Sequence, residues 1–249
     1  MTSVQPAPKT LAGLTLARLE ARADPARAAA SQRYFKNTDN IEFYGLSSED
    51  LRTLTEELNK AVAGRWSLKD AVVYAEALLP QKRHEARGMA LLMVLKFKKE
   101  FDRDLLLRLR KWLDKNRLDN WALVDVFCPY ALGTMIESRP EVAEEMVAWT
   151  ASPNRWVRRA SIVAFIILAR RGRFLDKAYE VARRMLKTDD DLLQKANGWM
   201  LREAGKTDPV RLEAFLRKHG PAIPRTTLRY AIERFPEAKR KILLKSTRG

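Results

Sequence analysis

The sequence predicts an all-α protein, an α-solenoid of antiparallel helix pairs. Three observations support this prediction: apolar residues recur with helical spacing along most of the chain, strand patterns are nearly absent, and a unit recurs every 36 residues. The ten glycines and eleven prolines fall mostly between the periodic segments, where they end helices. Because the connections between segments are short, consecutive helices are expected to pack antiparallel.

Start and stop signals place the helices in order along the chain. Asp24–Pro25 combines an N-cap with a first-turn proline, Ser47–Asp50 and Ser67–Asp70 have capping-box spacing, and Pro140–Glu141 opens a later helix. Pro236 is expected to break the last helix. The predicted helices are 9–22, 25–35, 48–63, 68–79, 83–98, 102–115, 120–137, 140–151, 155–170, 173–187, 190–205, 208–219 and 224–245.

The repeat is found by aligning the segments that begin at His84, Asn120, Trp156 and Leu192, each 36 residues after the last. A period of this length with two helices per unit is typical of α-solenoids, whose stacks curve and offer a concave surface. We therefore predict one domain over residues 1–249, with capping helices over about 1–33 and a loop through 36–45. The register aligns small residues, which are expected where neighbouring helices approach: Gly88, Val124, Ala160 and Ala196.

The positive charge of the chain is concentrated in its C-terminal part. The net charge is +16 and the isoelectric point is near 10.1, and residues 155–249 hold 24 Lys and Arg against 10 Asp and Glu. This excess indicates a polyanionic partner. Nucleic acid is favoured over a membrane surface, because no stretch combines a basic face with a large aromatic insertion face. The expected partner surface is a concave basic face that holds duplex DNA.

Several classes of protein are disfavoured by what the sequence contains. One cysteine, Cys128, rules out an internal disulfide framework and fits a reducing compartment. The opening MTSVQPAPKT lacks the apolar core of a signal peptide, and the longest apolar run, 162–169, is too short to span a bilayer. The two histidines are far apart, and the motifs CxxC, HExxH, GxGxxG and GxxxxGK[ST] are missing. We therefore predict an intracellular protein with no metal site and no nucleotide cofactor.

One position in the predicted helix 120–137 is unusual. Behind an N-cap at Asp119 or Asn120, Asp125 interrupts an apolar run four residues after Trp121, so carboxylate and indole share a helix face. A buried carboxylate needs a partner. Two interpretations are open: a core aspartate that pairs locally, with Arg159 of the next repeat as candidate, or a carboxylate presented on the concave face beside Trp121.

A second aromatic residue stands in a similar setting. Trp199 follows Gly198, which costs a helix about 1 kcal/mol relative to alanine and indicates a close approach of another element. The 36-residue register places Trp199 two positions beyond Asn197, the equivalent of Asp125. Trp199 is therefore either a core residue or part of one site with Asp125.

Longer motifs carry a family resemblance. The segments RYFKN with GL after it, NWALVD, SPNRWVRRASI and QKANGWMLREAGKTDP lie between about Tyr34 and Lys206. With them the chain resembles the bacterial AlkD-type DNA alkylpurine glycosylases, which are built from HEAT-like repeats. The resemblance implies that Trp121, Asp125 and Trp199 border the lesion.

The resemblance also implies a set of DNA-binding residues. Arg159, with its basic neighbours Arg158 and Lys195, is expected to hold the DNA backbone, and Tyr34 is expected to reach the DNA near the lesion, unless it only packs the cap helix. The sequence departs from the family at Asp191–Leu192, where better-known members have an aromatic pair. The minor-groove or opposite-strand contacts of that pair are therefore not expected here.

The implied activity is that of a monofunctional hydrolase. It would remove positively charged N3- or N7-alkylated purines from duplex DNA in base excision repair, acting as a monomer without cofactor in the bacterial cytoplasm, associated with the nucleoid when bound to DNA. Two other classes remain open from the residues: a non-catalytic repeat protein that binds DNA or RNA, and a protein scaffold. A protein that reads one RNA base per repeat needs comparable base-reading residues in each repeat. The equivalent positions here are Arg87, Leu123, Arg159 and Lys195, which share no such residue type, and this disfavours an RNA code.

Overall fold

The structure, a computed structural model, describes residues 6–35 and 41–247. Within these ranges the regular structure is helical, apart from an isolated bridge between Glu42 and Arg83. The all-α prediction is confirmed. The helices are α1 (Pro8–Ala21), α2 (Pro25–Tyr34), α3 (Ser48–Val62), α4 (Leu68–Leu78), α5 (His84–Leu95), α6 (Arg103–Asp114), α7 (Trp121–Ser138), α8 (Val142–Trp149), α9 (Arg155–Val163), α10 (Ile166–Arg170), α11 (Leu175–Arg184), α12 (Asp191–Ala204), α13 (Pro209–His219), α14 (Arg225–Ala231) and α15 (Glu237–Ser246).

The predicted boundaries lie within about one turn of the observed ones, with one helix divided that was predicted as continuous. The segment 155–170 is interrupted between α9 and α10. The interruption falls where the Ala164 carbonyl oxygen lies 3.4 Å from the position of a Cβ on Gly133 of α7, so two backbones meet there. The predicted break at Pro236 is confirmed, since α14 ends before it and α15 begins after it.

Contacts divide the chain into two compact units, Met1–Asp102 and Arg103–Gly249. The prediction of one domain over residues 1–249 stays a prediction. In the first unit α1 packs on α4, α4 pairs with α5, and α3 packs on α5. A buried hydrogen bond of 3.0 Å between the Thr15 and Tyr74 hydroxyls ties α1 to α4. The start of the chain, 1–5, and the stretch 36–40 of the predicted loop lie outside the described residues.

The second unit contains the repeated helix pairs. Each pair has a first member (α6, α8, α11, α13) and a second member (α7, α9, α12, α14), and each second member contacts the next one along the chain. We call α7, α9, α12 and α14 the second-helix layer. The aligned segments at Asn120, Trp156 and Leu192 all open helices of this layer, so the predicted repeat solenoid is confirmed.

The predicted role of the aligned small residues is only partly right. Val124, Ala160 and Ala196 are buried between helices. Gly88 does not mark a close approach, because a Cβ built there meets no atom of the described residues within 4 Å. No described helix approaches α5 closely at Gly88, and the prediction for Gly88 is wrong.

Candidate functional site

Asp125 and Arg159 form a bidentate ion pair between α7 and α9. Arg159 Nε donates to Asp125 Oδ1 at 2.8 Å, and Nη2 donates to Oδ2 at 2.6 Å. The Arg159 side chain is 5% exposed and that of Asp125 is 15% exposed. Arg159 Nη1 also donates to the Leu192 carbonyl in the first turn of α12, at 2.5 Å. One guanidinium therefore joins three successive helices of the second-helix layer.

The capping residues bring these groups together. Each of the three helices begins at a polar N-cap: Asn120 accepts from the Leu123 N–H at 3.0 Å, Asn154 from Trp156 at 2.8 Å, and Asp190 from Leu192 at 3.0 Å. Asp125, Arg159 and Leu192 lie within the first two turns after these caps. The site is thus built where α7, α9 and α12 begin, and the predicted N-cap of α7 is Asn120 rather than Asp119.

Burial sets the electrostatics of the pair. Desolvation raises the pKa of the Asp125 carboxyl above its ordinary value, and the Arg159 guanidinium opposes that rise. The result is a fixed carboxylate that is a better proton acceptor than an exposed aspartate. Burial likewise raises the pKa of the Cys128 thiol well above its usual range, which keeps that side chain protonated. Cys128 is therefore a buried hydrophobic residue and no thiolate nucleophile.

The two tryptophans of the predicted site lie in the same layer of helices. Trp121 is the first residue of α7, one turn before Asp125, and is half-buried. Trp199 is half-buried in α12, two turns after Leu192 and on the same side of that helix. The Trp199 indole forms no hydrogen bond with any described residue.

Two basic residues accompany the ion pair. Lys195 follows Leu192 on α12 and pairs with Asp191 at 2.7 Å, a contact that raises the pKa of Lys195. Arg159 lies close enough to lower that pKa slightly. Arg158 is half-buried, and its Nε is enclosed without a hydrogen-bond partner among the described residues.

A family model described as DNA alkylation repair enzyme matches residues 15–235 of the chain. The protein belongs to this family. The resemblance drawn from the sequence motifs is thereby confirmed. A solved structure, described as a predicted DNA alkylation repair enzyme from Enterococcus faecalis, has a TM-score of 0.76 and 19% identity, covering 87% of this chain and 98% of that one. At this identity the likeness shows a shared fold. A search of curated proteins gives no significant match.

In this member of the DNA alkylation repair family, the predicted site residues fall into two groups. Asp125 and Arg159 are in direct contact, with Lys195 nearby, all in the second unit. Tyr34 ends α2 in the first unit, where its side chain is 75% exposed and its ring lies edge-on to Phe35 at 5.5 Å. Tyr34 as a DNA contact stays a prediction, and two residues of the matched RYFKN segment, at 36 and 37, lie outside the described residues.

Arg159 is held more completely than the sequence indicated. Three of its nitrogens donate within the protein, which leaves two of the five guanidinium N–H groups for a phosphate. Its predicted contact to the DNA backbone stays a prediction. What the structure adds to the predicted site is the orientation of the Asp125 carboxylate by Arg159.

One residue near the site was missed in the sequence. Tyr230 of α14 is 37% exposed, and its Cβ lies against Gly198, next to Trp199. A signal was available, because extending the 36-residue period beyond Leu192 reaches Leu228 and so places Tyr230 in the next repeat.

The described part of this repair-family chain has neither a metal-binding cluster nor a membrane-spanning helix. Among residues 6–35 and 41–247, His, Cys, Asp and Glu form no group of three that is placed to hold a metal ion. The helices of the same ranges include none that is long and apolar enough to cross a bilayer.

Proposed function

We propose that the protein is a DNA glycosylase that removes positively charged N3- or N7-alkylated purines from duplex DNA. The observation that carries the proposal is the Asp125 carboxylate, fixed by two hydrogen bonds from Arg159 at the edge of a basic unit. Membership of the DNA alkylation repair family supports alkylated DNA as the substrate. The predicted concave basic face is part of the same proposal.

The chemistry needs little from the protein beyond a placed negative charge. Alkylation at N3 or N7 makes the purine cationic, so the base is already a good leaving group. The C1′–N bond breaks with its electron pair moving to the base nitrogen, and the base departs neutral. The deoxyribose gains oxocarbenium character, which a fixed carboxylate stabilises.

Water completes the reaction. Its oxygen forms the new bond to C1′, and a proton passes to Asp125 or to solvent, which leaves an abasic sugar. The raised pKa of Asp125 suits a group that accepts this proton. Arg159 keeps the carboxylate oriented, because both of its oxygens are held by one planar guanidinium.

The tryptophans supply recognition of the cation. Trp121 and Trp199 offer aromatic faces to the charged base and sugar, each worth about 0.5–2 kcal/mol through cation–π attraction. Lys195 and Arg158 neutralise phosphates, so binding is expected to weaken steeply as salt is raised.

The test is single-turnover base release from a duplex that contains one N7-methylguanine. Wild type is expected to release the base, and Asp125→Asn is expected to slow release by at least about a hundredfold while duplex binding is retained. Thermal unfolding of both proteins is the control, because the substitution also removes the anion that faces Arg159. Release at equal rates from the two folded proteins would contradict the assigned role of Asp125.

Substrate charge gives a second test. A duplex with hypoxanthine carries a neutral base that leaves only with acid assistance, and the site offers no strong acid beside Asp125. We expect slow or undetectable release of hypoxanthine and fast release of N7-methylguanine. Efficient removal of both bases would contradict the proposed mechanism.

A non-catalytic DNA-binding module is the second candidate. The complete pairing of Asp125 with Arg159 favours it, because such a pair also serves as a core contact between repeats. Salt-sensitive duplex binding by wild type, with no release of N7-methylguanine or of a bulkier cationic adduct, would establish the binder.

We propose that the enzyme acts as a monomer without cofactor in the bacterial cytoplasm, associated with the nucleoid when bound to DNA.

A further inference from the structure

Tyr230 occupies an exposed position on the last helix of the second-helix layer. Its side chain is 37% exposed, and its hydroxyl forms no hydrogen bond with any residue that the structure describes. An exposed phenol with a free hydroxyl is a neutral donor available to a ligand. The question is which surface it belongs to.

Gly198 fixes Tyr230 beside Trp199. A Cβ at Gly198 would lie 2.4 Å from Tyr230 Cβ and 2.6 Å from the Thr227 carbonyl oxygen, so α12 and α14 are in backbone contact at this point. Only glycine permits so close an approach. Trp199 is the next residue on α12, and it is therefore a direct neighbour of the point where Tyr230 is held.

Two further contacts fix the register of α12 and α14. The Thr227 hydroxyl donates to the Gln194 carbonyl at 3.0 Å, and Arg202 forms an ion pair with Glu233 at the other end. The contact points advance together along both helices, so α12 and α14 run parallel. Tyr230 therefore has a defined place opposite the middle of α12.

The direction of the Tyr230 side chain connects it to the reactive site. Side chains on a helix lean toward its N-terminus, which in this parallel pair is the end where Leu192 and Lys195 lie. The pKa of Lys195 is affected by both Tyr230 and Arg159, so the three groups lie near one another. Lys195 and Tyr230 are exposed and form a polar surface, whereas the Arg159 side chain is buried.

The chemistry of this surface fits a sugar–phosphate backbone. Tyrosine hydroxyls and lysine ammonium groups are common phosphate contacts that carry no base information. Lys195 is 41% exposed and its Asp191 partner is 59% exposed, so exchange of this partner for a phosphate costs little.

We propose that Tyr230, together with Lys195, binds the DNA backbone next to the base that lies at Trp199. The inference rests on the proposed function only in taking DNA as the ligand. It assigns Tyr230 to affinity and register rather than to bond cleavage. Its contribution is expected to be the same on damaged and undamaged duplex.

The test is a fluorescence-anisotropy titration of an undamaged duplex with wild type, Tyr230→Phe and Tyr230→Ala. Tyr230→Phe removes only the hydroxyl, and we expect about fivefold to tenfold weaker binding. Because no charge is lost, the slope of log affinity against log salt should stay unchanged. Lys195→Gln should instead reduce the magnitude of that slope by about one. Tyr230→Ala keeps the Cβ that packs on Gly198 and should bind at least as weakly as Tyr230→Phe.

A matched control is available on the other layer of helices. Tyr179 of α11 also has a hydroxyl without a hydrogen-bond partner among the described residues, but this hydroxyl is buried. Tyr179→Phe should bind DNA as wild type does. Equal affinity of Tyr230→Phe and wild type would overturn the proposal, as would an equal loss in Tyr179→Phe.

The outcome is separable from that of the proposed function. Wild type that binds duplex but releases no base would remove the glycosylase and leave the Tyr230 contact standing if Tyr230→Phe binds more weakly. Wild type that releases N7-methylguanine, with binding unaffected by Tyr230→Phe, would remove the contact and leave the glycosylase. With saturating lesion duplex, Tyr230→Phe should release the base at the wild-type rate, and a slower rate would contradict a role limited to binding.

Discussion

The second-helix layer is joined in two different ways along its length. From α7 through α9 to α12 the join is a buried charge, with Arg159 bound to Asp125 on one side and to the Leu192 carbonyl on the other. From α12 to α14 the join is a missing side chain, because Gly198 lets two backbones touch. The same stacking problem is solved once with an ion pair and once with close packing.

The two kinds of join differ in what they contribute to stability and in what they offer a ligand. A buried ion pair stabilises a fold no better than well-packed apolar residues of similar volume, because two charges must be desolvated. The charged join lies beside Trp121 and presents a carboxylate, whereas the close-packed join only positions its neighbours. Under the proposed function, the chemistry belongs to the charged join.

Breaking the charged join should have the largest effect. Asp125→Ala leaves the Arg159 guanidinium buried without its anion, and we expect a loss of about 3–5 kcal/mol in the free energy of unfolding. The measurement is urea denaturation followed by circular dichroism. In the double variant Asp125→Ala/Arg159→Met, stability should recover in large part, because no buried charge remains. A loss below about 1 kcal/mol in the single variant would mean that the pair behaves as an exposed one.

Breaking the close-packed join should have the next largest effect. Gly198→Ala forces α14 away from α12, since the new Cβ would overlap Tyr230 and Thr227, and we expect a loss of about 1–3 kcal/mol. Gly88→Ala on α5 is the matched control, because its Cβ meets open space. That variant should be unchanged or more stable by about 0.5–1 kcal/mol. Equal effects at the two glycines would contradict the close approach at Gly198.

The pH dependence of base release and of stability tests the role of Asp125 in the charged join. Because burial places the pKa of Asp125 above that of an unfolded aspartate, base release should fall about tenfold per unit as pH is lowered through the folded pKa. The stability contributed by this group should change in the opposite direction. The folded state binds the proton more tightly, so this contribution is present at low pH and is lost as pH rises through the same window.

The comparison of wild type with Asp125→Asn isolates both effects. Pre-steady-state rates and unfolding free energies are measured for the two proteins across the acidic range. In the variant, the rate of base release should not fall at low pH, and the unfolding free energy should lack the pH-dependent contribution of Asp125. If the rate of base release falls with pH in Asp125→Asn as steeply as in wild type, the titrating group is a residue other than Asp125.

The smallest effect is expected from the hydrogen bond that accompanies the close-packed join. Thr227→Val removes the hydroxyl that donates to the Gln194 carbonyl while keeping the side-chain shape, and we expect a loss of about 0.5–1.5 kcal/mol. Thermal unfolding gives the measurement. Together with Gly198→Ala, a double-mutant cycle should show coupling, because both substitutions act on one helix contact. Strict additivity would mean that the two contacts are independent.

Much of the fold could be predicted from the sequence because helix signals are local. Capping residues and prolines lie within a few positions of the helix ends that they set, as at Asp24–Pro25, Ser47–Asp50 and Pro236. The interruption at Ala164 was not predictable in this way. It falls where the Ala164 carbonyl approaches Gly133 of another helix, and no local pattern records such an approach.

The candidate site was predictable in kind but not in arrangement. Asp125 stood out because a carboxylate in an apolar helix face requires a reason, and Arg159 was one candidate partner. The sequence left open whether Asp125 paired in the core or faced a ligand. The structure shows the pairing, with the Asp125 side chain 15% exposed. Tyr230 was missed because its importance comes from contact with Gly198 and not from its own sequence context.

The sequence by itself determined the helices, the 36-residue repeat, the excess of positive charge and the family, because these depend on residue type and spacing along one chain. Only the tertiary structure decided that Arg159 holds Asp125, that Leu192 contributes a carbonyl, and that the Tyr230 Cβ lies against Gly198. Each of these contacts joins residues 30 or more positions apart on different helices. Their geometry follows from how neighbouring helices are packed, and a periodic pattern fixes which helices are neighbours but not which atoms meet.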